Sequence, residues 1–128
     1  MVAALLVRDG HVLLCHRAAG RRWYPDVWDL PGGHVERGEE PVEALARELK
    51  EEVGMIEEPG SEVARVVGPG LVLRIWQVDG WVGDPVNASP VEHDDLGWFD
   101  ASEASKLPLA HDNYLNLIRN TLLELGPA

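Results

Sequence analysis

The stretch Gly33-His34-Val35-Glu36-Arg37-Gly38-Glu39-Glu40-Pro41-Val42-Glu43-Ala44-Leu45-Ala46-Arg47-Glu48-Leu49-Lys50-Glu51-Glu52-Val53-Gly54-Met55 decides the fold. Val42, Leu45, Ala46, Leu49 and Val53 recur at helical spacing. Pro41 suits a first helical turn, where its missing N–H is no loss, and Gly54 suits a C-terminal stop. The spacing therefore predicts a helix over 41–53. On that helix Glu48, Glu51 and Glu52 stand at i, i+3 and i+4 and converge on one edge. Three carboxylates there repel one another, and a helix built only for stability would avoid them or intersperse Lys. Hard cations such as Mg2+ want several carboxylate oxygens together with water and substrate phosphate, so metal binding resolves the repulsion. Arg47, at i−4 from Glu51, carries the planar fork that holds a carboxylate in position, and Glu39 in the preceding loop can do similar service behind the ligands. The competing reading is an ordinary solvated face made by Glu43, Glu48, Lys50, Glu51 and Glu52. The flanking glycines argue against it. Gly32-Gly33 lets the backbone present a carbonyl or amide close to a ligand, while Gly38 and Gly54 bracket a loop-helix-loop module.

Gly33, then Glu39, then Arg47-Glu48-Leu49-Lys50-Glu51-Glu52-Val53-Gly54-Met55 matches the signature box of the Nudix hydrolases at every specified position. With ordinary residue frequencies the coincidence has a probability on the order of 10^-9 per starting point. The chain resembles that family over essentially its whole length. The resemblance implies that Glu48, Glu51 and Glu52, with a backbone carbonyl of Gly32 or Gly33, bind divalent ions, Mg2+ or Mn2+ in its place. Such ions neutralise a pyrophosphate and lower the pKa of a bound water until hydroxide attacks phosphorus in line. The family draws its general base either from the box or from a glutamate in a later loop. Glu92 is the loop candidate here, with Asp94 and Asp95 behind it, and an acidic surface loop is the equal alternative.

Composition limits the rest. The 128 residues, 45% apolar, suffice for one domain, 1–128, and are too few for two. A formal net charge of −11, from 22 acidic and 11 basic residues, opposes the phosphate backbone of a nucleic-acid polymer. A small phosphorylated molecule can still bind if divalent cations sit between the two negative partners. The single cysteine, Cys15, lies in an apolar run and reads as a small buried hydrophobe, which fits a reducing, cytoplasmic home. The apolar start is too short to span a membrane and lacks a basic leader. Either a monomer or a homodimer is compatible with a small sheet whose exposed strands can pair.

Around the box, Val2–Val7 and His11–Cys15 are apolar runs joined by Asp9-Gly10, a hairpin turn signal. A basic, aromatic loop follows from Arg17 to Asp26. A short strand is expected over 27–30, broken by Pro31-Gly32-Gly33. Residues 62–67 and 71–78 flank Gly68-Pro69-Gly70 and read as a strand pair. Asp84–Asp95 reads as an exposed loop and 96–99 as a short strand. Asp100 or Ser102 caps a brief helix, and a last helix runs from about His111 to Leu125 with Leu115, Ile118, Leu122 and Leu125 on one face. This order implies a mixed β-sheet covered by helices on both faces, an α/β/α sandwich of the Nudix type.

The flanks Arg17-Ala18-Ala19, Trp28-Asp29-Leu30-Pro31 and Trp81-x-Gly83-Asp84-Pro85 resemble the MutT branch, whose members cleave nucleoside triphosphates, including 8-oxo-dGTP, to the monophosphate. That resemblance makes Arg17 a phosphate contact, Leu30 a platform under a base, and Arg21-Arg22-Trp23-Tyr24 a basic and aromatic rim. Trp76, Trp81 and Trp98 read better as packing residues. Where the MutT pattern places a purine-reading asparagine, this chain has Pro108-Leu109-Ala110-His111. His111 can meet a base edge, and Asn113 substitutes if the terminal helix is displaced. ADP-ribose, a nucleotide sugar or another modified diphosphate is the alternative substrate class. A nucleotide sensor without turnover is a third reading, which the intact box disfavours.

Overall fold

The computed structural model describes residues 1–21, 25–54, 56–58, 60–78, 80–82 and 84–124, with the backbone path alone for 56–58 and 80–82. The expected hairpin is present: β1 (Val2–Arg8) and β2 (His11–Arg17) meet through Asp9 and Gly10, both at positive φ (52° and 75°), which matches the right-handed twist of paired strands. Their mutual register covers Val7↔Val12 and Arg8↔His11. Beyond the turn β1 runs parallel to β7 (Leu71–Val78), from Val2↔Arg74 to Leu6↔Val78, and β2 runs antiparallel to β9 (His93–Phe99). β3 (Trp28–Asp29) adds to β2, and β6 (Glu62–Gly68) pairs antiparallel with β7.

The sheet is buried on both faces, which explains why its central strands are continuous apolar runs rather than alternating ones. Successive β1 residues point opposite ways. Val2, Ala4 and Leu6 pack with Leu13, Cys15 and Trp76 against Ala44, Leu45, Leu49 and Val53 of α1 (Pro41–Val53). Ala3 and Leu5 pack with Val12, Leu14 and Ile75 against Ala104 of α2 (Ala101–Ala104) and Tyr114 and Ile118 of α3 (Asn113–Glu124). The arrangement is the α/β/α sandwich expected.

Helix α1 keeps the predicted bounds. The Glu40 N–H donates to Glu43 Oε1 at 3.1 Å at its start, and Gly54 at φ 68° closes it with its N–H on the Lys50 carbonyl. Asp100 caps α2, accepting the Glu103 N–H at 2.7 Å.

Four features depart from the sequence expectation. Gly32-Gly33 does not simply end a strand: it forms β4 (Gly32–Gly33), antiparallel to β1 at Ala3 and Val2. Strand β9 begins at His93 rather than Leu96, because the edge of β2 offers ladder partners to a segment whose charges look loop-like. Helix α3 starts at Asn113, and its buried stripe is Tyr114, Ile118 and Thr121, with Leu115 and Leu122 partly buried. Leu125 lies outside the described residues. A separate two-stranded sheet, β5 (Ile56–Glu58) with β8 (Gly80–Val82), was not legible in the sequence. Trp76 is a core residue under the Arg74 guanidinium, and Trp98 is partly buried beneath Arg8. The side chain of Trp81 lies outside the described part, as do Arg22, Trp23 and Tyr24. Among the described residues no helix is long and apolar enough to cross a membrane.

Candidate active site

The site is assembled where α1 packs on β4. A Cβ on Gly32 would run into the Val2 carbonyl oxygen and stand 2.6 Å from Ala3 Cα, so only glycine lets this short strand lie against β1. A Cβ on Gly33 would stand 2.6 Å from both carboxylate oxygens of Glu48. The second glycine thus makes room for a carboxylate rather than for a turn.

The three helix carboxylates grade from interior to solvent. Glu52 is 4% exposed, and its Oε2 accepts the Gly32 N–H at 2.9 Å. Burial pushes its carboxyl up to about 9, and the neighbouring charges of Glu48, Glu92 and Asp29 push the same way. Glu48 is mostly covered, and its carboxyl is raised by burial against the pull of Arg47. Glu51 is open to solvent and is reached by Arg47 Nη1 at 3.3 Å.

Arg47 ties the helix to the loop before it. Its Nε and Nη2 donate to the two oxygens of Glu39 at 2.8 and 3.0 Å, its Nη1 donates to Glu48 Oε1 at 2.9 Å, and its Nη2 also meets the His34 carbonyl at 3.0 Å. The guanidinium holds the Glu39 carboxyl down at about 2. Glu39 Oε1 also accepts the Glu36 N–H at 2.9 Å, so one fork and one carboxylate together set the path of the loop over 34–39.

A cleft of about 510 Å³ opens over these groups, within the range that holds a small ligand. Glu48, Glu52, Glu92, Gly32, Gly33, Arg17 and His111 all line it, joined by Arg21 and Asp29. Other candidates stand elsewhere. Arg47, Glu39 and Glu51 are not among its lining residues. Leu30 is 3% exposed, packs in the core beside α3 and lines only a cavity of about 30 Å³ next to the cleft, too small to admit a base. Asn113 is exposed at the start of α3 and is likewise absent from the lining. Asp94 pairs with His16, and Asp95 accepts the Leu96 N–H at 2.9 Å.

Two lining or adjoining groups escaped the sequence reading. Asp29 is mostly covered, and desolvation raises its carboxyl, while the Tyr114 hydroxyl (2.7 Å) and the Leu30 N–H (2.8 Å) donate to Oδ1 and Arg17 stands 3.5 Å from Oδ2. An acid inside the apolar run Trp28-Asp29-Leu30 was its one signal. His93 is 2% exposed, and its Nδ1 has no hydrogen-bond partner among the described residues. Burial, with the nearby Arg21 and Arg17 charges, keeps its ring down at about 4. Donor atoms of Glu52, Glu92 and His93 lie within 4.8 Å of one another. A buried carboxylate, a second carboxylate and an imidazole whose donor atoms share one space fit a divalent cation.

An α/β/α sandwich that sets carboxylates of one helix and two arginines around an open cleft can hold divalent ions beside a phosphorylated ligand. The NUDIX domain model matches residues 1–120. The chain is 37% identical over 114 residues to the CTP pyrophosphohydrolase of Escherichia coli (strain K12), covering 86% of this chain and 82% of that protein. It is 48% identical over 54 residues to the nucleoside triphosphatase NudI of Salmonella agona (strain SL483), a match covering 42% of this chain and 38% of that one. Among solved structures, a MutT NUDIX hydrolase from Burkholderia pseudomallei superposes with a TM-score of 0.79 at 29% identity, covering 97% of this chain and 95% of that one. The chain belongs to the NUDIX domain family and is a Nudix hydrolase.

Proposed function

We propose that this Nudix hydrolase is a Mg2+-dependent nucleoside triphosphate pyrophosphohydrolase, cytoplasmic in setting, that releases a nucleoside monophosphate and pyrophosphate. The observation that carries the reading is the pairing, in one cleft, of the Glu48, Glu52 and Glu92 carboxylates with Arg17 and Arg21. Carboxylates alone repel a triphosphate, and arginines alone bind it without activating water. Bound divalent ions, Mg2+ or Mn2+, supply Lewis acidity towards phosphate and water. Glu48 and Glu52 hold them, with Glu51 and a Gly32 or Gly33 carbonyl completing the set that the box implies. Arg17 and Arg21 orient the phosphate chain, and Arg47 and Glu39 act as positioning residues that keep Glu48 and the 34–39 loop in place. Glu92, which lines the same cleft, would take the proton of the attacking water on whichever carboxylate oxygen an ion leaves free.

His111, which lines the cleft, stacks edge-on with the buried Tyr114 at 5.1 Å between ring centres, and its ring is the group we assign to the base. The similarity to a protein named CTP pyrophosphohydrolase favours cytidine triphosphates, and the missing asparagine after Pro108-Leu109-Ala110 places 8-oxo-dGTP second. The test is a Mg2+ substrate panel of common NTPs, 8-oxo-dGTP, ADP-ribose and nucleotide sugars, with phosphate and pyrophosphate detected separately. Pyrophosphate from triphosphates, abolished in Glu52→Gln, is the expected result. Turnover of diphosphate-linked compounds alone would discard the triphosphatase reading, and tight binding without turnover would make the domain a sensor.

A further inference from the structure

We propose that His93 is a metal ligand, so that the Glu52–Glu92–His93 group forms a mixed nitrogen and oxygen site selective for Mn2+ or another borderline divalent ion over Mg2+. The inference rests on the metal-dependent reading above and extends it to a residue that the box does not contain.

Three observations converge. His93 is 2% exposed, yet its Nδ1 finds no hydrogen-bond partner among the described residues. A buried polar atom left unmade costs about 1–3 kcal/mol, so folded proteins satisfy such atoms or use them. The backbone that carries the ring is held in place: the His93 N–H donates to the Ser89 carbonyl at 3.0 Å, its carbonyl accepts from Asn87 Nδ2 at 2.7 Å, and its register partner across the sheet is Arg17. The backbone is therefore pinned on both sides while the ring keeps an unused nitrogen. Finally, one ring nitrogen lies within 4.8 Å of the carboxylate oxygens of both Glu52 and Glu92, and those oxygens are equally close to each other. An ion in that space would meet one imidazole nitrogen and two carboxylate oxygens, supplied by β9, by the residue just before it and by α1.

The second cluster of similar composition behaves differently. His11, Asp100 and Glu103 also lie within 4.8 Å, but Asp100 and Glu103 cap α2 and His11 Nδ1 meets the Asp9 carbonyl at 2.7 Å, so its polar atoms are committed to local structure. Donor type then sets the choice of ion. Mg2+ demands oxygen ligands and keeps its waters, whereas imidazole suits borderline first-row metals.

The test is direct spectroscopy on the substrate-free protein. Mn2+ bound to the full chain is examined by electron spin-echo modulation in unlabelled and 15N-histidine-labelled protein, which needs no variant and so survives any folding defect. A nitrogen modulation that changes with the label is expected, and Mn2+ binding without it would overturn the proposal. In parallel, calorimetric titration of His93→Gln is expected to show Mn2+ affinity weakened roughly 10–100-fold, with Mg2+ affinity changed by less than about threefold. Equal losses for both ions, or none, would also overturn it. Because neither readout uses turnover, failure here leaves the triphosphatase reading standing, and failure of the substrate panel leaves this one standing.

Discussion

Removing the divalent ion should make this protein less stable as pH rises, and Glu52 is the reason. The Glu52 carboxyl stands at about 9 in the folded chain against an ordinary value of 4.5, because it is buried beside Glu48, Glu92 and Asp29. A raised carboxyl means that the folded state keeps a proton the unfolded state has lost. Stability from this group is whole below pH 4.5 and declines as pH climbs towards 9, by at most about 1.4 kcal/mol per pH unit. Over pH 6.5 to 8.5 the ceiling is therefore about 3 kcal/mol, and water access near a cleft brings the expected loss to about 1–3 kcal/mol. In a chain of this size that is about 4–12 °C in Tm. The window avoids His93, which is held at about 4 against an ordinary 6.5 and raises stability only as pH climbs from 4 to 6.5. The assay is thermal melting with chelator present, wild type beside Glu52→Gln. The variant, neutral at every pH, should lose most of the slope between 6.5 and 8.5 and melt higher than wild type at 8.5. Mg2+ should stabilise wild type more at 8.5 than at 6.5, because at the lower pH it competes with a proton. Parallel slopes in the two proteins would refute the reasoning.

Gly32→Ala should cost about 1–3 kcal/mol in urea melts, since the new methyl meets Val2 and Ala3 backbone that cannot step aside, and it should also weaken metal binding by displacing the N–H on Glu52. Arg47→Lys replaces a fork that serves Glu39, Glu48 and the His34 carbonyl by a point charge, so kcat should fall roughly 10–100-fold in steady-state assays while the fold persists. Leu45→Ala, at a fully buried α1 position, should lower the unfolding free energy by about 2–5 kcal/mol, read from a denaturant midpoint. Asn113→Ala, outside the cleft lining, should leave kcat/KM for triphosphates within about twofold, a change of less than 0.5 kcal/mol.

Local patterns spoke wherever one element answers to its own residues. The Asp9-Gly10 turn needs two positive φ angles that its side chains tolerate, and α1 carries its own start and stop, so both were legible along the chain. The box residues were legible for the same reason: carboxylate spacing is a property of one helix. What a helix cannot show is which of its acids turns inward. Glu52 is buried and Glu51 exposed only because α1 lies on β4 with a particular rotation, and that rotation is decided by Leu45, Leu49 and Val53 seating in the sheet. Gly32-Gly33 likewise looked like a break, whereas contact with Val2 and Ala3, some thirty residues away in sequence, makes it a strand. The tertiary structure alone decided that His93 belongs beside Glu52. The ladder from Val12↔Phe99 to Arg17↔His93 pulls the charged start of β9 into the sheet, where a bulge at His16/Arg17 accommodates it. The signature box and the helix were thus readable along the chain, because both are local patterns. Which of the box acids is buried, and which stands near Glu92 and His93, follows from long-range pairing, because burial and proximity depend on how α1 and β9 meet the sheet.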